Sequence, residues 1–326
     1  VKTFSFSRAA TVEDALRASN GGAKFVAGGT TLIDLMKLDV EMPRKVVDIN
    51  RLPLAAISRT ADGGLRIGAL ARNSDVAHHP DVAGDYRVLS EALLSGASAQ
   101  LRNMASTGGN LLQRTRCVYF RDTVYACNKR APGSGCSAIG GFNRNLAILG
   151  TSEHCIASNP SDQNVALAAL EATVQIDGAR GERSVRLADF FLMPGDSPER
   201  ETVLEPDELI TSVTLPPAAR GSKSTYLKLR DRASYEFALV SAAVVVTIEG
   251  SSIARARIAM GGIGTKPWRN LDAEVALEGK PATPENFALA AQIVLRDAKP
   301  QSQNGFKVEL AKRCLIGALT LVTKAE

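Results

Sequence analysis

At 326 residues the chain is long enough for two or three domains, each with its own core. Its 45% hydrophobic and 22% charged content is that of an ordinary globular protein and excludes a disordered or low-complexity chain. The net charge of +5 and pI near 9.0 come from dispersed Lys and Arg with few aromatics among them, which is no nucleic-acid footprint, and no apolar run approaches the ~18 residues of a membrane span.

The first unit is expected over residues 1–56, as a small βαβ-type arrangement. Phe4 and Phe6 alternate in a strand that lacks the charged-then-apolar order of an export signal. Thr11-Val12-Glu13-Asp14 places a hydroxyl N-cap ahead of acidic residues, and Gly21-Gly22 ends the helix it starts. Lys24-Phe25-Val26 reads as a strand running into Ala27-Gly28-Gly29-Thr30-Thr31, after which Leu32, Ile33, Leu35 and Met36 have helical spacing. Strand, glycine-hydroxyl turn and helix in that order aim free backbone N–H groups at an anion. An ordinary tight turn has the same look. The spacing is neither the Rossmann G-x-G-x-x-G nor a Walker A loop.

A longer α+β unit is expected over 57–216. Leu65 to Ala69 is a strand, and Tyr86 to Leu94 and the residues near Leu101 and Met104 are helical. A second glycine segment follows, Ala105-Ser106-Thr107-Gly108-Gly109-Asn110-Leu111. Further on, Ser161 can cap a helix bearing Val165, Ala168, Ala169 and Leu170. Val174 and Ile176 then lie in a strand whose hairpin returns through Val185–Leu187. Pro216-Pro217 marks the boundary to a third unit, 217–326. It has strands at Thr225–Leu229, Leu239–Ile248 and Ile253–Met260 and amphipathic helices at Phe287–Leu295 and Val308–Val322.

Four of the five cysteines fall between the second glycine segment and Ser161, within residues 113–156. Nine, eight and eighteen residues separate Cys117, Cys127, Cys136 and Cys155 in turn. Structural zinc draws its thiolates from close C-x2-4-C knuckles, and none occurs here. An iron–sulfur cluster tolerates wide spacing, because it offers separate iron corners to an irregular loop. From spacing alone a cluster, zinc and free or disulfide-forming thiols all stay open. Arg114, Arg116, Arg121, Lys129, Arg130 and Arg144 face only Asp122 and Glu153 within this stretch, a cationic excess suited to an anionic cluster. His154 is expected as a neighbour of Cys155, and Cys314, on the last helix, as a buried small hydrophobe. The chain has only three histidines, which argues against a His-rich metal hydrolase.

Val26-Ala27-Gly28-Gly29-Thr30-Thr31-Leu32 resembles the first flavin-binding loop of the FAD-containing subunit of the xanthine dehydrogenase and molybdenum hydroxylase family. The segment at Ala105–Leu111 resembles the second loop, and Pro160-Ser161-Asp162 the helix start that follows. Lys228 in Tyr226-Leu227-Lys228-Leu229-Arg230 and the Gly261-Gly262 turn resemble that family's C-terminal domain. The resemblance covers nearly the whole chain. It implies an α+β fold in which a two-part FAD-binding region (vanillyl-alcohol-oxidase/PCMH-like) precedes a smaller α+β domain of the CO-dehydrogenase-flavoprotein type.

The cysteine-bearing insertion resembles that of two branches, the periplasmic aldehyde oxidoreductases and the 4-hydroxybenzoyl-CoA reductases, with wording closer to the first. The resemblance implies FAD held by residues 26–32 (Val26, Ala27, Gly28, Gly29, Thr30, Thr31, Leu32), by Thr107, Gly108, Gly109 and Asn110, and by Ser161, Asp162 and Lys228. It implies a [4Fe-4S] cluster on Cys117, Cys127, Cys136 and Cys155. The expected function is an electron-transfer subunit in a heterotrimer or its multiple. A large molybdenum-cofactor subunit would oxidise an aldehyde with water to a carboxylic acid, and a small [2Fe-2S] subunit would deliver electrons to FAD for an external acceptor. No nucleic acid, no membrane insertion and no acid–base residue acting on the aldehyde is expected. Periplasmic placement would depend on a partner's export signal, a cytoplasmic complex being the alternative. A hydroxybenzoyl-CoA reductase subunit and a non-redox zinc-binding scaffold are the rival readings.

Overall fold

A computed structural model describes residues 1–324. Three sheets organise them. The first is parallel, with Lys45–Asp48 between Ser5–Arg8 and Lys24–Val26. Val46 and Val47 of its central strand are buried on opposite faces. The helix Val12–Asn20 starts at Thr11, whose hydroxyl accepts the Asp14 amide at 3.1 Å, and the helix Leu32–Lys37 follows the first glycine turn.

The second sheet is antiparallel, in the order Ile57–Arg59, Leu65–Gly68, Glu208–Leu215, Thr173–Gly178, Arg183–Arg186. Along Thr173–Gly178 buried and half-buried residues alternate, so Val174 and Ile176 face the core while their neighbours face outward. The hairpin return ends at Arg186. Leu187 instead opens a short helix, Leu187–Phe190, that drives Leu187 and Phe190 into the core.

The third sheet is antiparallel, in the order Trp268–Arg269, Ser252–Gly261, Val240–Glu249, Ser222–Leu229. The strand Val240–Glu249 is buried on both faces from Val240 to Val246, which explains its almost unbroken apolar run. Ala243 and Val245 pack with Val165 and Ala169 of the helix Asp162–Ala169, while Ala242, Val244 and Val246 pack with Ala311, Leu315 and Ala318 of the helix Phe306–Thr323. The sheet thereby joins two cores. Cys314 sits in the second of these, 1% exposed, and its thiol is pushed up to about 12 by burial.

The second glycine segment, which the resemblance presented as a loop, is a helix, Thr107–Leu111. The Ser106 hydroxyl accepts the Gly109 amide at 3.2 Å and the Gly108 amide donates to Ala69 at 2.8 Å, ties that outweigh the weak helix propensity of two glycines.

Candidate FAD site and cysteine insertion

The two glycine segments, far apart in sequence, meet at one cleft of about 660 Å³. Residues 26–32 all line it, and so do Ser106, Gly108 and Gly109. Their junction is tight. A Cβ on Gly28 would stand 1.9 Å from the Met104 carbonyl oxygen, just before the second segment, and Gly29 has a φ of 72°. Both positions demand glycine, the first for space and the second for conformation. The constraint on Gly28 therefore comes from the protein's own backbone.

Two residues that motif reasoning passed over hold this junction. The Asn50 amide donates to the Ala27 carbonyl at 2.9 Å, and its Oδ1 accepts from Arg72 Nη2 at 2.8 Å. Arg72 Nη1 also reaches the Met104 carbonyl, so one guanidinium links the two segments. Asp48 fixes Asn50 in turn, accepting its backbone N–H at 2.9 Å. Burial opposes ionisation of Asp48, yet hydrogen bonds from Asn50 and Arg8 hold its carboxyl below the usual range. The Asp48-Ile49-Asn50 turn after a strand was a usable signal in the sequence; Arg72 carried none.

The remaining expected residues sit behind or beside the cleft. Thr107 is 2% exposed, and its amide and hydroxyl both donate to Ala71, at 2.9 and 3.1 Å. Asn110 accepts from the Ser161 hydroxyl at 2.8 Å, and Ser161 caps the next helix by accepting the Asn164 amide at 3.1 Å. Ser161 and Asp162 line a second, smaller pocket of about 120 Å³, which shares Ser158, Asn159 and Pro160 with the cleft. Asp162 Oδ2 receives Lys228 Nζ at 2.8 Å and its Oδ1 receives the Tyr226 hydroxyl at 2.6 Å. Burial, with Asp162 adding to it, raises the Tyr226 phenol well above its ordinary value, so it remains a donor. Lys228 also donates to Ser95 at 3.1 Å and lines neither pocket.

The four insertion cysteines surround one small cavity, with Cys117, Cys127 and Cys155 buried and Cys136 half-buried. Cys127 and Cys136 face each other across an antiparallel bridge, reinforced by Asn128 N–H to the Gly135 carbonyl at 2.7 Å. Lys129, Cys155 and Ala157 line both this cavity and the cleft, so the two sites share a wall. Burial pushes the Cys117 thiol up to about 11 and raises Cys155 as well. Among the described residues no three His, Cys, Asp or Glu side chains close on a single-ion site.

The expected cationic excess is offset from outside the insertion. Arg114 pairs with Glu41 at 2.8 Å, Arg121 with Asp34 at 2.7 Å, Lys129 with Glu201 at 3.0 Å and Arg144 with Asp231 at 2.7 Å. Charges counted within one stretch of sequence miss partners brought in by the fold. His154 lies beside Asp196, at 3.4 Å.

The family described as the FAD binding domain in molybdopterin dehydrogenase matches residues 2–218, and the CO dehydrogenase flavoprotein C-terminal domain matches 224–321. The chain belongs to this family of FAD-binding subunits and is a component of an oxidoreductase, with FAD as its cofactor. It is 51% identical, over 98% of both chains, to the aldehyde oxidoreductase FAD-binding subunit PaoB of Escherichia coli K12. With the glyceraldehyde dehydrogenase medium chain of Sulfolobus acidocaldarius it shares 29% identity over 85% of this chain and 82% of that one. The structure of carbon monoxide dehydrogenase from Hydrogenophaga pseudoflava superposes with a TM-score of 0.78 at 25% identity, covering 98% of this chain and 97% of that one. Membership of a redox family sets the zinc-scaffold reading aside. No helix among the described residues is long and apolar enough to cross a membrane.

Proposed function

We propose that the chain is the FAD- and [4Fe-4S]-carrying subunit of a molybdenum-dependent aldehyde oxidoreductase, with subdomains at 1–56, 57–216 and 217–326. The observation that carries the reading is 51% identity, end to end, with an aldehyde oxidoreductase FAD-binding subunit. When bound, FAD would take electrons from a small [2Fe-2S] partner and release them to an external acceptor, aldehyde oxidation itself occurring on a large molybdenum-cofactor subunit.

The chain's own residues bind and orient. Backbone N–H groups of residues 27–31 suit the anionic diphosphate, and Gly108 and Gly109 allow close approach where they line the same cleft. Thr107 and Asn110 set the shape of that second segment through Ala71 and Ser161. Asp162, although already bonded to Lys228 and Tyr226, keeps lone pairs for a cofactor hydroxyl, and Lys228 acts from behind it, holding the carboxylate in place. The donor set is what favours a cluster: four thiols line one cavity, and a cubane takes one thiolate per iron corner. The complex would be periplasmic, exported with a partner.

Co-purification of the native complex without air, followed by iron, molybdenum and flavin analysis and an aldehyde-turnover assay, tests the proposal. A preparation containing FAD but no iron beyond the [2Fe-2S] centres would refute the cluster. Turnover of a CoA thioester in place of aldehydes would refute the reaction.

A further inference from the structure

The residues between Leu229 and Val240 connect two strands of the third sheet and carry Glu236, Phe237, Ala238 and Leu239 to the mouth of the second pocket. Phe237 is 44% exposed there, and Tyr235 holds a φ of 53°, outside the usual range for a side chain of its size. The base of the connection is closed by the Leu239 amide on the Leu229 carbonyl at 2.9 Å, and Arg232 N–H bonds Glu236 within it at 2.9 Å.

Among the described residues, the hydrogen bonds and cation–π contacts reaching residues 231–237 from elsewhere come from two arginines. Arg144 Nη1 and Nη2 grip the Asp231 carboxylate at 2.7 and 3.0 Å, and the same guanidinium lies 5.1 Å from the Phe306 ring at the start of the last helix. Arg116 lies 4.9 Å from the Phe237 ring centroid. Both arginines belong to the cysteine insertion.

We propose that Arg144 is a positioning residue. Through Asp231 it holds residues 231–237 over the second pocket, so that the cysteine insertion sets how widely this side of the site opens to an electron acceptor. The acceptor part rests on the functional reading above; the grip does not. A planar guanidinium held by a carboxylate on one side and an aromatic ring on the other fixes direction as well as distance. The insertion then matters to access whether or not its cluster relays electrons.

Amide hydrogen exchange over 231–237 in the purified complex tests the grip. Arg144→Ala and Asp231→Asn should each speed exchange roughly twofold to fivefold, the scale of a half-exposed bidentate pair, and the exchanged pair Arg144→Asp with Asp231→Arg should restore protection. Asp231→Asn removes the charge with little change of shape, so the test survives a misfolded Arg144→Ala. In the same variants, turnover with the bulky planar dye dichlorophenolindophenol relative to ferricyanide should rise by about the same factor, with flavin content unchanged. Wild-type exchange in both single variants, or faster exchange that the swap does not reverse, overturns the grip. Faster exchange with an unchanged acceptor ratio overturns its role in access. A complex isolated without flavin would instead defeat the functional reading, and the exchange comparison would still decide the grip.

Discussion

Lys228 Nζ lies 2.8 Å from Asp162 Oδ2, with the two side chains 4% and 9% exposed. This pair fastens the third sheet to the helix that begins where the cysteine insertion ends, and the Tyr226 hydroxyl completes it from the same strand. Removing one partner leaves the other charge buried. Lys228→Met should therefore lower unfolding free energy by about 3–5 kcal/mol. Adding Asp162→Asn should recover part of the loss, because the orphaned charge disappears with it. Urea unfolding of the four proteins of this cycle measures the coupling, and strict additivity would show that the pair is not energetically linked.

Gly28 tests the junction of the two glycine segments. Alanine there would place a methyl group 1.9 Å from the Met104 oxygen, a backbone atom that cannot swing aside. Gly28→Ala should separate the first turn from the second segment and leave the purified protein with well under half the wild-type flavin. Absorbance near 450 nm per mole of protein reads this directly. Asn50→Ala should act in the same direction but more weakly, since it removes the side-chain hydrogen bonds to Ala27 and Asp48 and from Arg72, each worth about 1 kcal/mol, and adds no clash.

Much of this was legible in the sequence because local chemistry dictated it. Thr11 and Ser161 announce helix starts by their hydroxyls, and both accept the expected backbone amides. The alternation of Val174 and Ile176 identified a strand. The central strand of the first sheet, Lys45–Asp48, escaped notice because four residues with two valines give too short a pattern. Glu208–Leu215, which joins the two hairpins of the second sheet, was likewise unmarked by any turn signal. In the site, the glycine segments were readable as motifs, but their meeting through Met104, Arg72 and Asn50 is a long-range fact. The pairing of the insertion's arginines with Asp34, Glu41, Glu201 and Asp231 belongs to the same kind.

The cysteines divide into two classes with opposite expectations. Cys127 lines the insertion cavity, whereas Cys314 is packed among Leu315, Ala318 and the third sheet. On the proposed cluster assignment, Cys127→Ser should lower the iron content of the complex by about four atoms per chain, as for loss of one cubane. Cys314→Ala should leave iron unchanged and cost about 1–2 kcal/mol in stability, from the atoms removed and the cavity left. Iron analysis and thermal unfolding of both variants check the division. Equal iron in Cys127→Ser and wild type would remove that cysteine from the ligand set.

Lys307 should make stability depend on pH in an unusual direction. The residue is fully buried, and its Nζ donates to the Leu146 carbonyl at 3.0 Å and the Gly262 carbonyl at 2.7 Å. It thereby ties the end of the insertion and the glycine turn beside the second pocket to the last helix. Burial, with Arg144 adding to it, lowers its ammonium to about 7. A neutral amine still has two N–H groups, enough for both carbonyls. The unfolded chain keeps this proton up to the ordinary lysine value of about 10.4, so between the two values unfolding takes up a proton. This group's contribution to stability is lowest below pH 7 and rises with pH across that window, by on the order of 1 kcal/mol per unit. Lys307→Met lacks both the bonds and the titration. It should be less stable than wild type at pH 7, and the gap should widen at pH 9. Urea midpoints at the two pH values decide the matter: a constant gap would mean that Lys307 stays charged inside the folded protein, held by its two carbonyls against the burial that opposes it.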